Sequence, residues 1–304
     1  MVDRTKAARL ALYAMYAEDL FDNLVTLSQA QKHETPAVDT VLTDGTRLST
    51  NDWKIVGEIR AADPFNFLGV HLNLFGAGEY NYGFLLQRLT HDATCPIAQG
   101  QFLAMVRGTE LRIEWLDDVR IAADTITLDN GVKAEAWTGF YSIYNSMMLV
   151  RDGSRMLAAE GIAEAVGGAT VTVVGHSLGA ALASYLTYDL ARPDIGKLGN
   201  NVFGWFFASP KPANQVFADR FATVVSMYSV VNWQHDLVPT LPPHPFVPLN
   251  NINNSVLILT PANTVMQPKD TPACNHHAIC YAQMLDPTVV RDTHYGCFGN
   301  PVTT

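Results

Sequence analysis

The feature that most constrains this 304-residue chain is the pentapeptide Gly-His-Ser-Leu-Gly at 175–179, which lies between an apolar run and a helical pattern. The run Val171–Val174 is rich in β-branched residues and predicts a strand, and Leu178–Ala191 predicts a helix. At so tight a strand-to-helix turn, Ser177 must adopt a strained backbone, and the two glycines let strand and helix approach without colliding side chains. The hydroxyl is then exposed above a sheet edge, at a helix N-terminus that favours an anion. A Gly-rich turn with a capping serine is the alternative interpretation.

The rest of the chain alternates short apolar runs with helical patterns. Strands that are apolar on both faces and separated by helices are typical of a parallel sheet that is covered on both sides. The sequence therefore predicts an α/β fold with a mainly parallel central sheet. No repeat, low-complexity block or Pro/Gly/Ser linker interrupts it, so we expect one domain over residues 1–304. The other predicted strands are Tyr82–Gln87, Phe102–Arg107, Val202–Ala208 and Met227–Val231, and the other predicted helices are Gly139–Arg151 and Gly153–Val166.

The N-terminal residues have features of both a secretory leader and an amphipathic helix. Basic residues precede the apolar run Leu10–Ala17, as in a leader. However, Asp3 lies among the basic residues, Glu18 follows the run directly, and apolar residues continue at helical spacing as far as Leu24. We therefore expect a helix of the folded domain. No apolar stretch reaches the roughly 20 residues of a transmembrane helix, so we expect no transmembrane segment.

The charge of the chain excludes some classes of partner. Lys and Arg total 20 and Asp and Glu total 29, which gives a net charge of -9. So acidic a chain gains nothing from counterion release at a nucleic-acid backbone, and it has no polybasic patch for anionic lipid. We therefore expect no nucleic-acid partner.

A serine nucleophile needs a histidine base and a carboxylate that orients the base. In chains with a serine at such a turn, the acid and then the histidine follow the serine. Asp236 is the strongest candidate acid, because it lies on a proline-stiffened loop just after the apolar run that ends at Val231. A plain loop-end aspartate is the alternative. The weaker candidates, on the following helix or with the pattern of surface charges, are Asp189, Asp194, Asp219 and Asp270.

Four histidines downstream of Asp236 are candidates for the base. His244 lies between prolines and close to Asp236 in the chain, and His294 lies in a Gly-rich tail. His276 and His277 precede an apolar helical pattern. The residues alone therefore favour this adjacent pair and leave both members open.

Five segments of the chain occur in an order that is typical of one family. They are a strand ending in Arg-Gly-Thr at 102–109, Trp-Leu-x-Asp at 115–118, Gly-Phe-x-x-x-Tyr at 139–144, the pentapeptide at 175–179, and Asp-x-Val-Pro-x-Leu-Pro at 236–242. The ordered set resembles the class 3 lipases, which include the triacylglycerol lipases of filamentous fungi and the related feruloyl esterases. The resemblance implies an α/β-hydrolase fold and a serine hydrolase that cleaves carboxylic esters through an acyl-enzyme intermediate. It implies no cofactor.

The resemblance also assigns roles to individual residues. Ser177 would be the nucleophile and Asp236 the residue that orients the base. Thr109, which follows Arg-Gly, would supply one donor of the oxyanion hole, and the backbone amide of Leu178 would supply the other. The stretch Glu110–Val119 would correspond to a lid helix that opens at a lipid surface.

The spacing of a tyrosine favours one of the two adjacent histidines. Bacterial and plant members of the family place a tyrosine five residues after the catalytic histidine, with apolar residues at fixed positions around it. Counting from His276 gives Tyr281 and meets the pattern. Counting from His277 places Gln283 and Asp286 at apolar positions and breaks it. The resemblance therefore implies His276 as the base and His277 as the alternative, although fungal members place the tyrosine three residues after the histidine.

Cysteine chemistry offers a competing interpretation of the same segment. Cys274 and Cys280 flank the two histidines, and such a set can ligate zinc. The paired short spacings of zinc sites are lacking, so we expect no metal. A disulfide between Cys297 and either Cys274 or Cys280 is favoured instead, and would tie the C-terminal tail to the histidine segment in an oxidising compartment.

The resemblance implies an ester or lipid substrate and transient contact with a lipid–water interface. Charged residues make up 16% of the chain, against about 25% in typical domains. A surface with few charges costs little to desolvate at neutral lipid. A triacylglycerol lipase is the first hypothesis, with a soluble esterase for short acyl or aryl esters and a catalytically silent binding protein as alternatives. The resemblance also favours secretion, and the oligomeric state stays open.

Overall fold

The computed structural model describes residues 2–28, 48–62, 79–108, 122–249, 256–290 and 296–298, and for residues 18–28 and 79 it describes the backbone alone. The strands within these ranges are β1 (Trp53–Ala62), β2 (Glu79–Arg88), β3 (Phe102–Val106), β4 (Ala123–Thr127), β5 (Lys133–Trp137), β6 (Met148–Arg151), β7 (Ser154–Leu157), β8 (Val171–His176), β9 (Val202–Phe207), β10 (Met227–Trp233) and β11 (Val256–Leu259). The α-helices are α1 (Arg4–Ser28), α2 (Thr138–Asn145), α3 (Ala158–Val166), α4 (Leu178–Ala191), α5 (Gln215–Val224), α6 (Pro272–His276) and α7 (Ala278–Leu285).

Nine of these strands form one sheet in the order β11-β10-β9-β8-β3-β2-β1-β6-β7. Neighbouring strands are parallel from β11 to β3 and antiparallel from β3 to β7, so that seven of the nine described strands point the same way. The central strands β3 and β8 are buried along their whole length, as strands covered on both faces must be. The predicted mainly parallel sheet is confirmed. The junction of β8 with α4 lies near the centre of this sheet.

Five predicted strands and the predicted helix that follows Ser177 are confirmed. The apolar runs of the sequence correspond to β2, β3, β8, β9 and β10, and the predicted helix over Leu178–Ala191 is α4. These elements carry continuous apolar runs, which burial on both sides explains.

Helices cover both faces of the sheet. The helices α2 to α5 contribute to one core, and α1 and α7 contribute to the other. The predicted N-terminal helix is confirmed as α1. Ala7, Ala11 and Ala14 are fully buried, and such small side chains let the helix lie close against α7 and β8. Within the described part of the chain, no helix combines the length and apolarity that a membrane span requires.

Two of the predicted helices are wrong over part of their length. The pattern Gly139–Arg151 continues past the end of α2 into β6, and the pattern Gly153–Val166 covers β7 before α3 begins. Between them lies a β-hairpin whose turn residues, Asp152 and Gly153, have φ angles of 51° and 79°. An Asp-Gly turn with positive φ is a hairpin signal. The strand β6 also pairs with the distant β1, a contact that side-chain periodicity cannot reveal.

Asp129 joins the turn between β4 and β5 to two helices. Its buried carboxylate accepts a hydrogen bond from Arg220 Nε on α5 at 2.8 Å and one from the Tyr188 hydroxyl on α4 at 2.6 Å. The hydrogen bonds from Arg220 outweigh the effect of burial and lower the pKa of Asp129 to about 2. A carboxyl whose pKa is lower in the folded chain stabilises the fold above its unfolded pKa, and this contribution disappears as the pH falls toward the folded value.

We expect Asp129→Asn to lower the free energy of unfolding by about 2 kcal/mol at pH 7, because the variant loses the charge that Arg220 stabilises. The difference from the wild type should shrink as the pH falls from about 4 to about 2, where the wild-type carboxyl is protonated as well. Denaturant-induced unfolding at a series of pH values measures both effects.

Asp219→Asn is the matched control. Asp219 is exposed on α5, next to Arg220, and accepts a hydrogen bond from Gln215 Nε2 at 2.7 Å. Its replacement should therefore change stability little at any pH. A difference between Asp129→Asn and the wild type that stays constant down to low pH would contradict the role assigned to the charge.

Candidate active site

Ser177 occupies the junction between β8 and α4 in a strained backbone conformation. Its φ and ψ angles are 57° and -131°, a region that costs a residue with a Cβ about 1–3 kcal/mol. Its backbone N–H donates to the carbonyl of Phe207 at the end of β9, at 3.0 Å, which fixes the turn to the neighbouring strand. The strained strand-to-helix turn that the pentapeptide predicts is therefore present.

Two glycines permit this turn. A Cβ at Gly175 would lie 2.2 Å from the carbonyl oxygen of Gly179. A Cβ at Gly179 would lie 2.4 Å from the carbonyl oxygen of Val106 and 2.5 Å from that of Arg107. Real Cβ atoms do not approach main-chain atoms so closely, so both positions require glycine for the reason that the sequence indicates.

Asp236 follows β10 on a tight turn in which its amide donates to the carbonyl of Trp233 at 3.0 Å. Its side chain is 2% exposed. A buried carboxylate needs hydrogen-bond donors, and Oδ1 accepts from the amide of Val238 at 3.0 Å. Its other oxygen, Oδ2, accepts from the Tyr281 hydroxyl and from His276 Nδ1, each at 2.8 Å.

His276 is the last residue of α6, and its ring lies between the acid and the serine. Since Nδ1 donates to Asp236, Nε2 carries no proton and accepts a hydrogen bond from the Ser177 hydroxyl, whose oxygen lies 2.8 Å away. Of the two candidate histidines, His276 is the one that contacts both residues. His277 connects α6 to α7 in an extended conformation. The structure thus brings Ser177, His276 and Asp236 together in one line of hydrogen bonds.

The weaker candidate acids have other contacts. Asp189 accepts hydrogen bonds from Tyr144 and Arg192, and Asp194 also pairs with Arg192. Asp219 accepts from Gln215, and Asp270 accepts from Asn275 at 2.8 Å.

His244, the candidate base between two prolines, is exposed. His294, the oxyanion candidate Thr109 and the predicted lid at Glu110–Val119 lie outside the described residues. Leu178, the other oxyanion candidate, is the first residue of α4, where backbone N–H groups have no partner within the helix.

A family model described as lipase (class 3) matches residues 103–246 of this chain. This match covers just under half of the chain, and over that range the chain is similar to the class 3 lipases. It is 25% identical over 181 residues to phospholipase A1-Igamma3, chloroplastic, of Arabidopsis thaliana, a match that covers 53% of this chain and 34% of the relative. It is 26% identical over 236 residues to phospholipase A1-II 3 of Oryza sativa subsp. japonica, which covers 70% of this chain and 55% of the relative. The chain thus spans about a third to just over half of the length of these curated relatives.

Solved structures share the fold of this chain. A mutant form of MDLA from Penicillium cyclopium matches with a TM-score of 0.53 and 17% identity, over 88% of this chain and 81% of that chain. Lipase II from Rhizopus niveus matches with a TM-score of 0.52 and 18% identity, over 81% of this chain and 78% of that chain. The predicted α/β-hydrolase fold is confirmed.

Tyr281 has a contact that the sequence analysis missed. The spacing pattern of the lipase family marked this residue but assigned it no function. Its hydroxyl donates to Asp236 Oδ2 and accepts from the amide of Trp233 at 2.9 Å. Burial, and after it the charge of Asp236, raises the pKa of Tyr281 well above its ordinary value, so the hydroxyl keeps its proton and donates. Its position five residues after His276 was the one available signal.

A second missed group braces the histidine-bearing helix. Trp233 Nε1 donates to Asn275 Oδ1 at 2.9 Å, and both side chains are buried. Asn275 Nδ2 in turn donates to Asp270 Oδ1 at 2.8 Å. The residue before His276 is therefore attached to the strand that precedes Asp236. Nothing in the sequence relates these side chains, because the contact depends on the fold.

A disulfide joins Cys274 to Cys297. This is one of the two pairings that the sequence left open for Cys297. Cys274 lies two residues before His276, so the disulfide holds the segment that carries the histidine. Cys280, the other candidate, is buried in α7. Because Cys274 is oxidised, it cannot serve as a thiolate ligand, and the described residues contain no group of three or more His, Cys, Asp and Glu side chains that could hold a metal ion.

We expect the double variant Cys274→Ser, Cys297→Ser to lose about 2–4 kcal/mol of unfolding free energy, since the disulfide restricts the unfolded chain. Ester hydrolysis should fall as well, because α6 carries His276. Thermal unfolding and turnover of a soluble ester measure the two effects. Cys95→Ser is the control, because Cys95 lies outside the disulfide. Equal stability of the double variant and this control would contradict the prediction.

Proposed function

We propose that this chain is a serine hydrolase that cleaves carboxylic esters of lipids. The observation that carries the proposal is the pair of 2.8 Å contacts that connect Asp236 to His276 and His276 to the hydroxyl of Ser177. This arrangement makes a serine nucleophilic, because the histidine removes the hydroxyl proton as the oxygen attacks. The match of residues 103–246 to the class 3 lipase model supports the same reaction class.

The first half of the reaction acylates the serine. Ser177 Oγ attacks the ester carbonyl, and its proton passes to His276 Nε2. The imidazolium that forms is stabilised by Asp236, which also holds the ring in the tautomer with a proton on Nδ1. His276 then donates the proton to the oxygen of the leaving alcohol as the carbon–oxygen bond breaks.

The second half releases the acid. A water molecule gives a proton to His276 Nε2 and attacks the acyl-enzyme carbonyl. The carbon–oxygen bond to Ser177 breaks, and the proton returns to the serine oxygen. Enzyme and histidine are thereby restored to their starting protonation states.

The negative oxygen that forms in each half needs hydrogen-bond donors. We propose that the amide of Leu178, at the first position of α4, is one of them. The family resemblance assigns the other to Thr109. One preorganised donor lowers the barrier by roughly 2.7–4 kcal/mol in well-studied hydrolases.

We expect Ser177→Ala and His276→Ala to lower kcat for a p-nitrophenyl ester by similar factors, on the order of 10⁴ or more, because the two residues act as a unit. Initial rates and thermal unfolding of both variants measure the effect. His277→Ala is the matched control, since His277 is the neighbouring histidine and the hydrogen bonds that join Asp236 to Ser177 pass through His276. Full activity in His276→Ala would sink the assignment of the base, and full activity in Ser177→Ala would sink the serine mechanism.

We propose triacylglycerols as the first substrate class. The resemblance to the fungal lipases supports this choice, as does the low charged share of 16%, which makes contact with neutral lipid less costly. Acyl esters of phospholipids are the second candidate, because the curated relatives are named phospholipases A1. Soluble short acyl or aryl esters are the third.

We expect release of acid from a triacylglycerol to rise steeply once its concentration exceeds the solubility limit, because contact with an interface would favour an open site. Titration of the released acid, across triacylglycerol emulsions, phosphatidylcholine vesicles and a chain-length series of soluble esters, measures the preference. Ser177→Ala serves as the blank in every assay. Saturation below the solubility limit would assign a soluble esterase instead, a preference for vesicles would assign the phospholipid substrate, and no turnover at all would leave a binding protein.

A further inference from the structure

The histidine that precedes the serine makes a contact that the proposed mechanism does not use. His176 is the last residue of β8 and is 4% exposed. Its Nε2 lies 2.6 Å from the main-chain oxygen of His276. Because a carbonyl oxygen can only accept, Nε2 carries a proton and donates it. The hydrogen bond joins the strand that leads into Ser177 to the main chain of the residue that receives the serine proton.

The carbonyl group of His276 needs a partner from outside its own helix. The helix α6 ends at His276, and the last four carbonyl groups of a helix have no partner within it. His277 is extended, and its carbonyl accepts from the amides of Cys280 and Tyr281 at 3.0 and 3.2 Å, which begins α7. The carbonyl group of His276 thus lies at the break between α6 and α7, where it accepts a hydrogen bond from the His176 side chain.

The ring of His176 also packs against the site. Its centroid lies 4.7 Å from that of the His276 ring, at an interplanar angle of 39°. It lies 6.0 Å from the Tyr281 ring in an edge-on arrangement. Asp236 holds the His276 ring through Nδ1, whereas His176 holds the main chain on which that ring is carried. Two separate contacts therefore set the distance between the base and the nucleophile.

We propose that His176 is a positioning residue for His276, acting through the hydrogen bond to its carbonyl group. This inference rests on the proposed hydrolytic function. The His176 side chain is buried against His276, so it acts on the reaction through His276 rather than through the substrate. A displacement of a reacting group by about 1 Å can cost about 10²-fold in rate, so loss of this hydrogen bond should lower kcat and leave KM nearly unchanged.

Three substitutions separate the hydrogen bond from the shape of the side chain. His176→Phe keeps a flat ring but cannot donate, and we expect its kcat to fall by about 10²-fold with KM within about twofold of the wild type. His176→Gln carries an amide N–H at about the reach of Nε2 and should recover most of the rate. His176→Asn carries the same group closer to the main chain and should not. His91→Phe, at an exposed histidine, is the control and should leave kcat unchanged.

A spectroscopic measurement supplies a readout that general destabilisation would not move. The proton shared by His276 Nδ1 and Asp236 should give a low-field resonance in the NMR spectrum of the full chain. We expect this resonance to shift or broaden in His176→Phe, to return in His176→Gln and to be unchanged in His91→Phe. Thermal unfolding of each variant shows that the comparison is made between folded proteins.

Several outcomes would overturn the positioning role. These are a wild-type kcat in His176→Phe, a rise in KM in place of the fall in kcat, or a folded His176→Gln as slow as His176→Phe. If His176→Phe fails to fold, the Gln and Asn variants decide, since equal rates in the two would reject the role and a faster Gln variant would support it. Ester turnover by the wild type is measured first, because its absence would overturn the proposed function rather than the role of His176.

Discussion

The contact between the first turn of α4 and the end of β3 is the constraint on which the site depends. Gly179 lies so close to the carbonyl groups of Val106 and Arg107 that a Cβ would stand 2.4 and 2.5 Å from their oxygens. Two elements from separate parts of the chain therefore meet main chain to main chain. That approach brings the first turn of α4, which directly follows Ser177, against the end of β3. The strained φ of Ser177 is thus imposed by packing, and the buried strands and helix around it compensate its cost.

The site also depends on a carboxylate that is buried among hydrogen-bond donors. Asp236 accepts from Val238, His276 and Tyr281, which come from its own loop, from α6 and from α7. Burying a charge is costly unless hydrogen bonds compensate for the lost water. The charge therefore stabilises the arrangement only when all three segments are in place. It couples the orientation of the base to the docking of the C-terminal helices.

Local patterns in the sequence predicted the elements that are buried on both faces, along with the residues at their ends. The run before Ser177, the helix after it and the loop of Asp236 all carry strong local signals, because apolar runs and Gly or Pro punctuation are properties of neighbouring residues. The hairpin of β6 and β7 was missed because β6 also pairs with the distant β1, and side-chain periodicity cannot reveal that pairing. Spacing favoured His276 over His277, but the hydroxyl contact of Tyr281 and the contact between Trp233 and Asn275 depend on residues that only the fold brings together.

The packing of α1 against α7 has a consequence for the order in which the molecule can mature. The hydroxyl of Thr5 donates to Asp286 at 2.6 Å, across a separation of 281 residues. The helix α1 therefore meets α7 only after nearly the whole described chain has been made, and contacts of such long range form slowly. His276 lies two residues before α7, so we expect the base to reach the site together with these long-range contacts. Because Ser177 and His276 are 99 residues apart in the chain, the serine would lack its base until that docking is complete.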